Sequence, residues 1–274
     1  KGRFRDLTVR STASILTQGV TVPERTPFAK GLPAGFYALD GGTVTLTAKD
    51  GNINAESGAV IDISGSRQAR SFTAGPDNTI TTISSAGAAG NLEVIYSGDF
   101  ALDATLNADA SMSTAHGGTL SISKQDDVSF GGLTIDVATI QEYLNIGFDA
   151  MTFRSFGALT FLGSIKASLG RSLTLDAPVI KGSPDGDISF QAPWITLANT
   201  QSKYGDRNEN ISYSQLPAPS EGGQGSFTLS SDWMDIIGSI GVSGFNRVSL
   251  SAHRDITLTD QAYQSGSSGN MVAW

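Results

Sequence analysis

From Gly41 to Ser66 the chain reads GGTVTLTAKDGNINAESGAVIDISGS, a series of short runs in which apolar and polar residues alternate. Gly, Asn or Asp cuts the runs apart about every seven residues. Alternation with a period of two predicts strands with one face toward a core. These runs offer that core only one or two side chains each, whereas an ordinary strand runs for about five or six residues. The rhythm continues in LNIGFDAMTFRSFGALTFLGSIKASLGRSLTLDAPVIKGSPDGDISFQAPWITL, with runs beginning near Leu144, Met151, Leu159, Ile165, Leu173, Val179, Ile188 and Ile195. Taking every third run gives a period of about 21 or 22 residues. Phe227, Met234, Ile240, Val248 and Ile256 repeat it.

Three short strands per repeat of about 21 residues predict an all-β fold, a right-handed parallel β-helix. Each coil makes one circuit of three faces, and each strand pairs with its equivalent about 4.8 Å away in the next coil. The strands are short because each is one side of a prism, and Gly, Asn and Asp serve its corners. The core expected from this phase includes Leu173, Leu175, Ile188, Phe190, Leu229, Val248, Leu250, Ile256 and Leu258. A propeller would repeat at about 40 to 45 residues. A sandwich would carry hairpin dipeptides between strands, and only Asp50-Gly51 and Asp185-Gly186 qualify.

The whole chain, 1–274, is expected to be a single solenoid segment. Three stretches break its rhythm. Residues 10–40 hold Pro23, Pro27 and Pro33, residues 67–89 separate two regular runs, and residues 199–224 are polar and rich in Pro and Gly. All three are expected as extra-helical insertions, which a solenoid carries on its outside. A short helix is expected at Val137 to Asn145, and the remainder makes roughly ten coils and a rod on the order of 45 Å long.

Composition agrees with this class. Gly accounts for 32 of 274 residues and charged residues for only 16%, so small polar residues stand where a helical protein would use Lys, Glu and Leu. With no cysteine, sheet and core alone must stabilise the chain. No apolar run reaches the roughly 18 residues of a membrane span. A net charge of −8 and the lack of a basic stripe argue against a nucleic-acid partner. The chain begins at Lys1 without a signal segment and reads as a piece of something longer.

The wording of Gly41 to Ser66 resembles the filamentous haemagglutinin-like exoproteins of Gram-negative bacteria. The likeness lies in the paired glycines, the alternating strand, Asp50-Gly51-Asn52-Ile53 and the closing GAVIDISGS. GTLSISKQDD at Gly118 to Asp127 and RSLTLDAPVIKG at Arg171 to Gly182 are similar in style. The resemblance implies a long secreted β-helix, exported by two-partner secretion through an outer-membrane partner and displayed on the bacterial surface. It further implies an adhesin, surface fibre or toxin-delivery stalk that meets host cells, neighbouring cells or glycans. The family's N-terminal secretion signature is not evident, so an internal or C-terminal part of the fibre is expected.

A β-helix can also be a polysaccharide lyase, which needs clustered acids with basic partners. The acid pairs Asp99 with Asp103, Asp126 with Asp127, and Asp185 with Asp187 fall at corners, where Asp serves turn geometry, and their phases do not coincide. His116 and His253 are remote in sequence and are expected as solvent-facing corner residues. No catalytic residue, metal site or cofactor is expected. Asn210-Ile211-Ser212 has the form of a glycosylation sequon. Contacts, if any, are expected on the insertions: Arg67, Arg70, Phe72 and Asp77 on one, and Tyr204, Asp206, Arg207, Asn208, Glu209 and Tyr213 on the other. Three readings remain: an adhesive stalk with binding loops, a subunit that self-associates into a filament, sheath or layer, and a lyase.

Overall fold

The computed structural model describes residues 6–23, 35–74, 77, 79–125, 132–200 and 223–259. The chain starts with β1 (Leu7–Val9) and β2 (Ser14–Leu16), then leaves through an antiparallel hairpin of β3 (Thr21–Pro23) and β4 (Phe36–Ala38). β5 (Thr43–Ala48), β6 (Ile53–Ala55) and β7 (Val60–Asp62) follow, then a second antiparallel hairpin, β8 (Ala69–Ala74) with β9 (Ile80–Ser85). β10 (Asn91–Tyr96), β11 (Phe100–Leu102) and β12 (Thr105–Asn107) then return, parallel and in register, onto β5, β6 and β7. The chain has thus visited three sheets in turn and come back to the first.

The second half keeps the order. β13 (Gly118–Lys124) and β14 (Leu133–Asp136) lead into α1 (Val137–Ile146), which stands between β14 and β15 (Phe148–Ser155). In the next pass β16 (Ala158–Leu162) is followed by a strand instead, β17 (Ile165–Ser168), and then by β18 (Ser172–Asp176) and β19 (Val179–Gly182). β20 (Ile188–Ala198), β21 (Ser226–Ile237), β22 (Gly241–Ser243) and β23 (Arg247–Thr259) complete the described chain. The longest sheet runs β5-β10-β13-β15-β18-β20-β21-β23, parallel throughout, and another runs β14-β16-β19-β22. The fold is all-β, built on parallel sheets, with one helix among the described residues.

The expected period holds only locally. Ala150 faces Ser172 and Ser172 faces Trp194, steps of 22 residues like that between Arg154 and Asp176. Earlier steps are longer because the hairpins and the helix interrupt them; Thr43 faces Asn91, for example. Eight strands lie along the longest sheet, and their seven steps of about 4.8 Å make a stack of about 34 Å. The runs at Ile188 and Ile195 are one strand, whose first half pairs with β17 and whose second half pairs with β18. Leu144 belongs to α1 and not to a strand. The first excursion starts later than residue 10, since β2 pairs with β7.

Where the chain departs toward residues 201–222, β19 pairs directly with β22, with Val179 facing Gly241. The described part of the β20 pass contributes nothing to that sheet. Asp176, only 1% exposed, ties down the departure point: its carboxylate accepts from Arg154 Nε at 2.7 Å and from the Thr200 N–H at 2.8 Å.

The core is a set of continuous columns. Val44, Leu92, Leu120, Met151, Leu173, Ile195 and Met234 lie in one register line, and all are buried. Phe161 and Phe190 meet inside at 5.4 Å between ring centroids. Each such side chain contributes about 1.5–3 kcal/mol on burial. Leu173, Leu175, Ile188, Phe190 and Leu229 occupy the core as expected. Val248, Ile256 and Leu258 do not: they are 47%, 39% and 75% exposed. They continue the inner columns, opposite Phe227, Met234 and Ile236, but β23 ends the sheet and no described strand covers it.

Close stacking explains part of the glycine content. A Cβ on Gly90 would fall 1.8 Å from the carbonyl oxygen of Gly42, because the entrance to β10 rests directly on the entrance to β5. Only a residue without a side chain permits that approach.

Candidate functional site

The residues expected on the first binding insertion lie on or beside the β8–β9 hairpin. Arg67 and Arg70 are exposed, and Phe72, opposite Thr82, is half-buried. Arg70 and Phe72 share one side of the ribbon by alternation, while Asp77 lies exposed near its tip. Tyr204, Asp206, Arg207, Asn208, Glu209 and Tyr213 lie outside the described residues, as do the sequon and the Asp126–Asp127 pair. In the other acid pairs, Asp99, Asp103 and Asp187 bond to neighbouring passes. The Asp99 N–H donates to Asn52 Oδ1, and the Asp103 N–H donates to the Ala55 carbonyl. Asp187 Oδ1 accepts from both the N–H and the hydroxyl of Ser226, which holds its carboxyl below the ordinary value. No group of three or more acidic or histidine side chains suited to a metal occurs among the described residues.

His116 is exposed but not isolated. Its Nδ1 lies 3.6 Å from Asp149 Oδ2, which also accepts from the Gly117 N–H at 2.9 Å. Asp149 Oδ1 accepts from Arg171 Nε at 3.0 Å, and Arg171 Nη2 reaches on to Thr119 Oγ1 at 2.8 Å. Beside this network lies a hollow of about 400 Å³ bordered by Asp109, Met112, Leu144, Phe148 and Gly170. Both oxygens of Asp149 are engaged, so the carboxylate binds the segment before β13 to β15 and β18. That is the work of a clamp.

A second exterior cluster was not anticipated. At the bend within β20, Pro193 and Trp194 both face outward between buried Ala192 and Ile195; β21 repeats this with Asp232 and Trp233 between Ser231 and Met234. Trp194 and Trp233 face each other in register, their rings stacked at 6.4 Å between centroids and 26° between planes. Trp194 Nε1–H donates to Asp235 Oδ2 at 2.8 Å, which fixes its indole over the neighbouring strand. On β23 the register shifts between Ser231 and Trp233, so an extra residue enters the corner and Arg254 comes over the Trp233 ring at 5.7 Å. His253 is exposed beside it. Despite these contacts the indoles of Trp194 and Trp233 remain 47% and 41% exposed. A signal for this pair exists in the sequence: each Trp immediately precedes an inward residue, in PWITL and DWMDI, at equivalent points of the repeat.

The chain matches no protein-family model, no curated protein and no solved structure.

Proposed function

We propose that this chain is a segment of an extracellular right-handed β-solenoid fibre, of filamentous haemagglutinin-like type, that acts as a rigid adhesive stalk. The observation that carries the reading is the unbroken parallel stack from β5 to β23 around an apolar core to which α1 also contributes Ile140 and Tyr143, with the two antiparallel hairpins outside that stack and the aromatic corner facing outward. Such a body resists bending because each inner strand of the longest sheet is paired on both edges. Recognition then falls to exterior groups held on a stiff scaffold. In this reading the fibre is secreted through an outer-membrane partner and meets cell or glycan surfaces.

Beads coated with the chain test the adhesive role. Retention of cells above that on albumin-coated beads is expected, with free chain competing for it. Equal retention on both coatings would contradict it.

One observation favours a second reading, self-assembly end to end. Among the described residues the last strand has no partner on its outer edge, beside exposed Val248, Ile256 and Leu258, and such an edge is a template for another strand.

A further inference from the structure

We propose that the corner formed by Trp194, Trp233 and Arg254 is a saccharide-binding site, an inference that rests on the adhesive reading and names its ligand class. A pyranose ring presents an apolar face of C–H groups and a rim of hydroxyls, so it needs an exposed aromatic surface with polar groups at its edge. The corner supplies both. The two indoles lie on paired strands and cannot collapse into the core, because Ile195 and Met234 already fill the inward positions. Trp194 is held by Asp235, and Trp233 by its neighbours on either side. A surface fixed before binding loses little freedom on capture.

The polar rim is unspent. Arg254 makes no ion pair among the described residues, so its guanidinium N–H groups are available to ligand hydroxyls or a carboxylate. Asp232 is exposed and can accept hydrogen bonds. One strand back in the same column stands Ser172, and before it Ala150. Ser172 is partly exposed beside Trp194, so its hydroxyl can meet the edge of a ring seated on the indole, whereas Ala150 is buried.

Size separates a saccharide from a protein partner. Two indoles that are somewhat under half exposed present roughly 200 Å² of apolar surface. A stable protein interface needs about 800 Å² from each partner. Two adjacent strands span about 10 Å, the reach of one or two sugar rings. A single corner binds weakly, and a fibre carrying many such contacts gains by avidity.

The test is titration of the full 274-residue chain with chitohexaose, cellohexaose and a galacturonate hexamer, followed by calorimetry and tryptophan fluorescence. Binding of at least one probe is expected, with Trp194→Ala and Trp233→Ala each weakening it by at least about tenfold. Trp194→Phe keeps an aromatic face without the N–H and should lose less, and Arg254→Ala should weaken the galacturonate hexamer most. Both tryptophans lie outside the core, so unchanged far-ultraviolet circular dichroism and melting are expected for these variants. The bead assay is run on the same proteins to separate the two proposals. If cells are retained while no probe binds, or probes bind the tryptophan variants undiminished, the saccharide site is overturned and the adhesive reading stands. If neither cells nor probes bind, both fall.

Discussion

Asp136 shows how single residues set boundaries in this chain. Its carboxylate accepts from the Thr139 N–H at 2.8 Å and so caps α1, and Gly147 closes the helix in the left-handed conformation at φ 109°. Without the cap the strand run of β14 would have no local reason to convert to helix at Val137. Asp136→Ala is expected to lower stability in urea unfolding by about 1 kcal/mol at neutral pH. The Thr139 N–H holds the folded carboxyl below its ordinary value of 3.8. The contribution is therefore fully present above that value and lost as pH falls through the depressed folded value. The gap between wild type and Asp136→Ala should close in acid, whereas Asp136→Asn, a cap without charge, should track wild type at neutral pH and hold in acid. A gap independent of pH would place the effect elsewhere.

Individual strands here are too short to stand alone, and their stability comes from the columns they join. Phe190 lies in the middle of that arrangement at 1% exposure, between Phe161 and the next pass. Phe190→Ala should cost about 3–5 kcal/mol, whereas Val248→Ala on the uncovered last strand should cost well under about 1 kcal/mol. Similar losses at both positions, measured by denaturant unfolding, would mean that β23 is buried in solution. The contrast also marks what was legible in the sequence. Inward positions from Met151 to Met234 could be read from the alternation because each is covered on both sides. Val248, Ile256 and Leu258 carry the same pattern, but burial depends on a neighbouring strand that periodicity cannot report. The helix was readable from its spacing, since Ile140 and Tyr143 fall on one buried face. The fusion of the runs at Ile188 and Ile195 was not, because Pro193 bends the strand without ending its pairing. The tryptophan corner was not legible for a related reason: it depends on the pairing of Trp194 with Trp233, which stand 39 residues apart and off the period of about 22.

Taken as one body, the chain is a stack with an inside that is closed and an outside that varies. Among the described residues its weak point is the edge of β23, which no other strand pairs. If copies join there, Leu258→Lys should reduce any concentration-dependent elongation seen by sedimentation velocity, since a charge would be buried in the junction. Elongation that is indifferent to this change would point to lateral contacts through the hairpins. The decisive observation is electron microscopy of the protein on cells of its native source, labelled with antibody raised against this chain. The adhesive-fibre account expects label on single thin rods that project from the surface without order. Label repeating at fixed spacing along filaments or across a lattice, or confined within the cells, would contradict it.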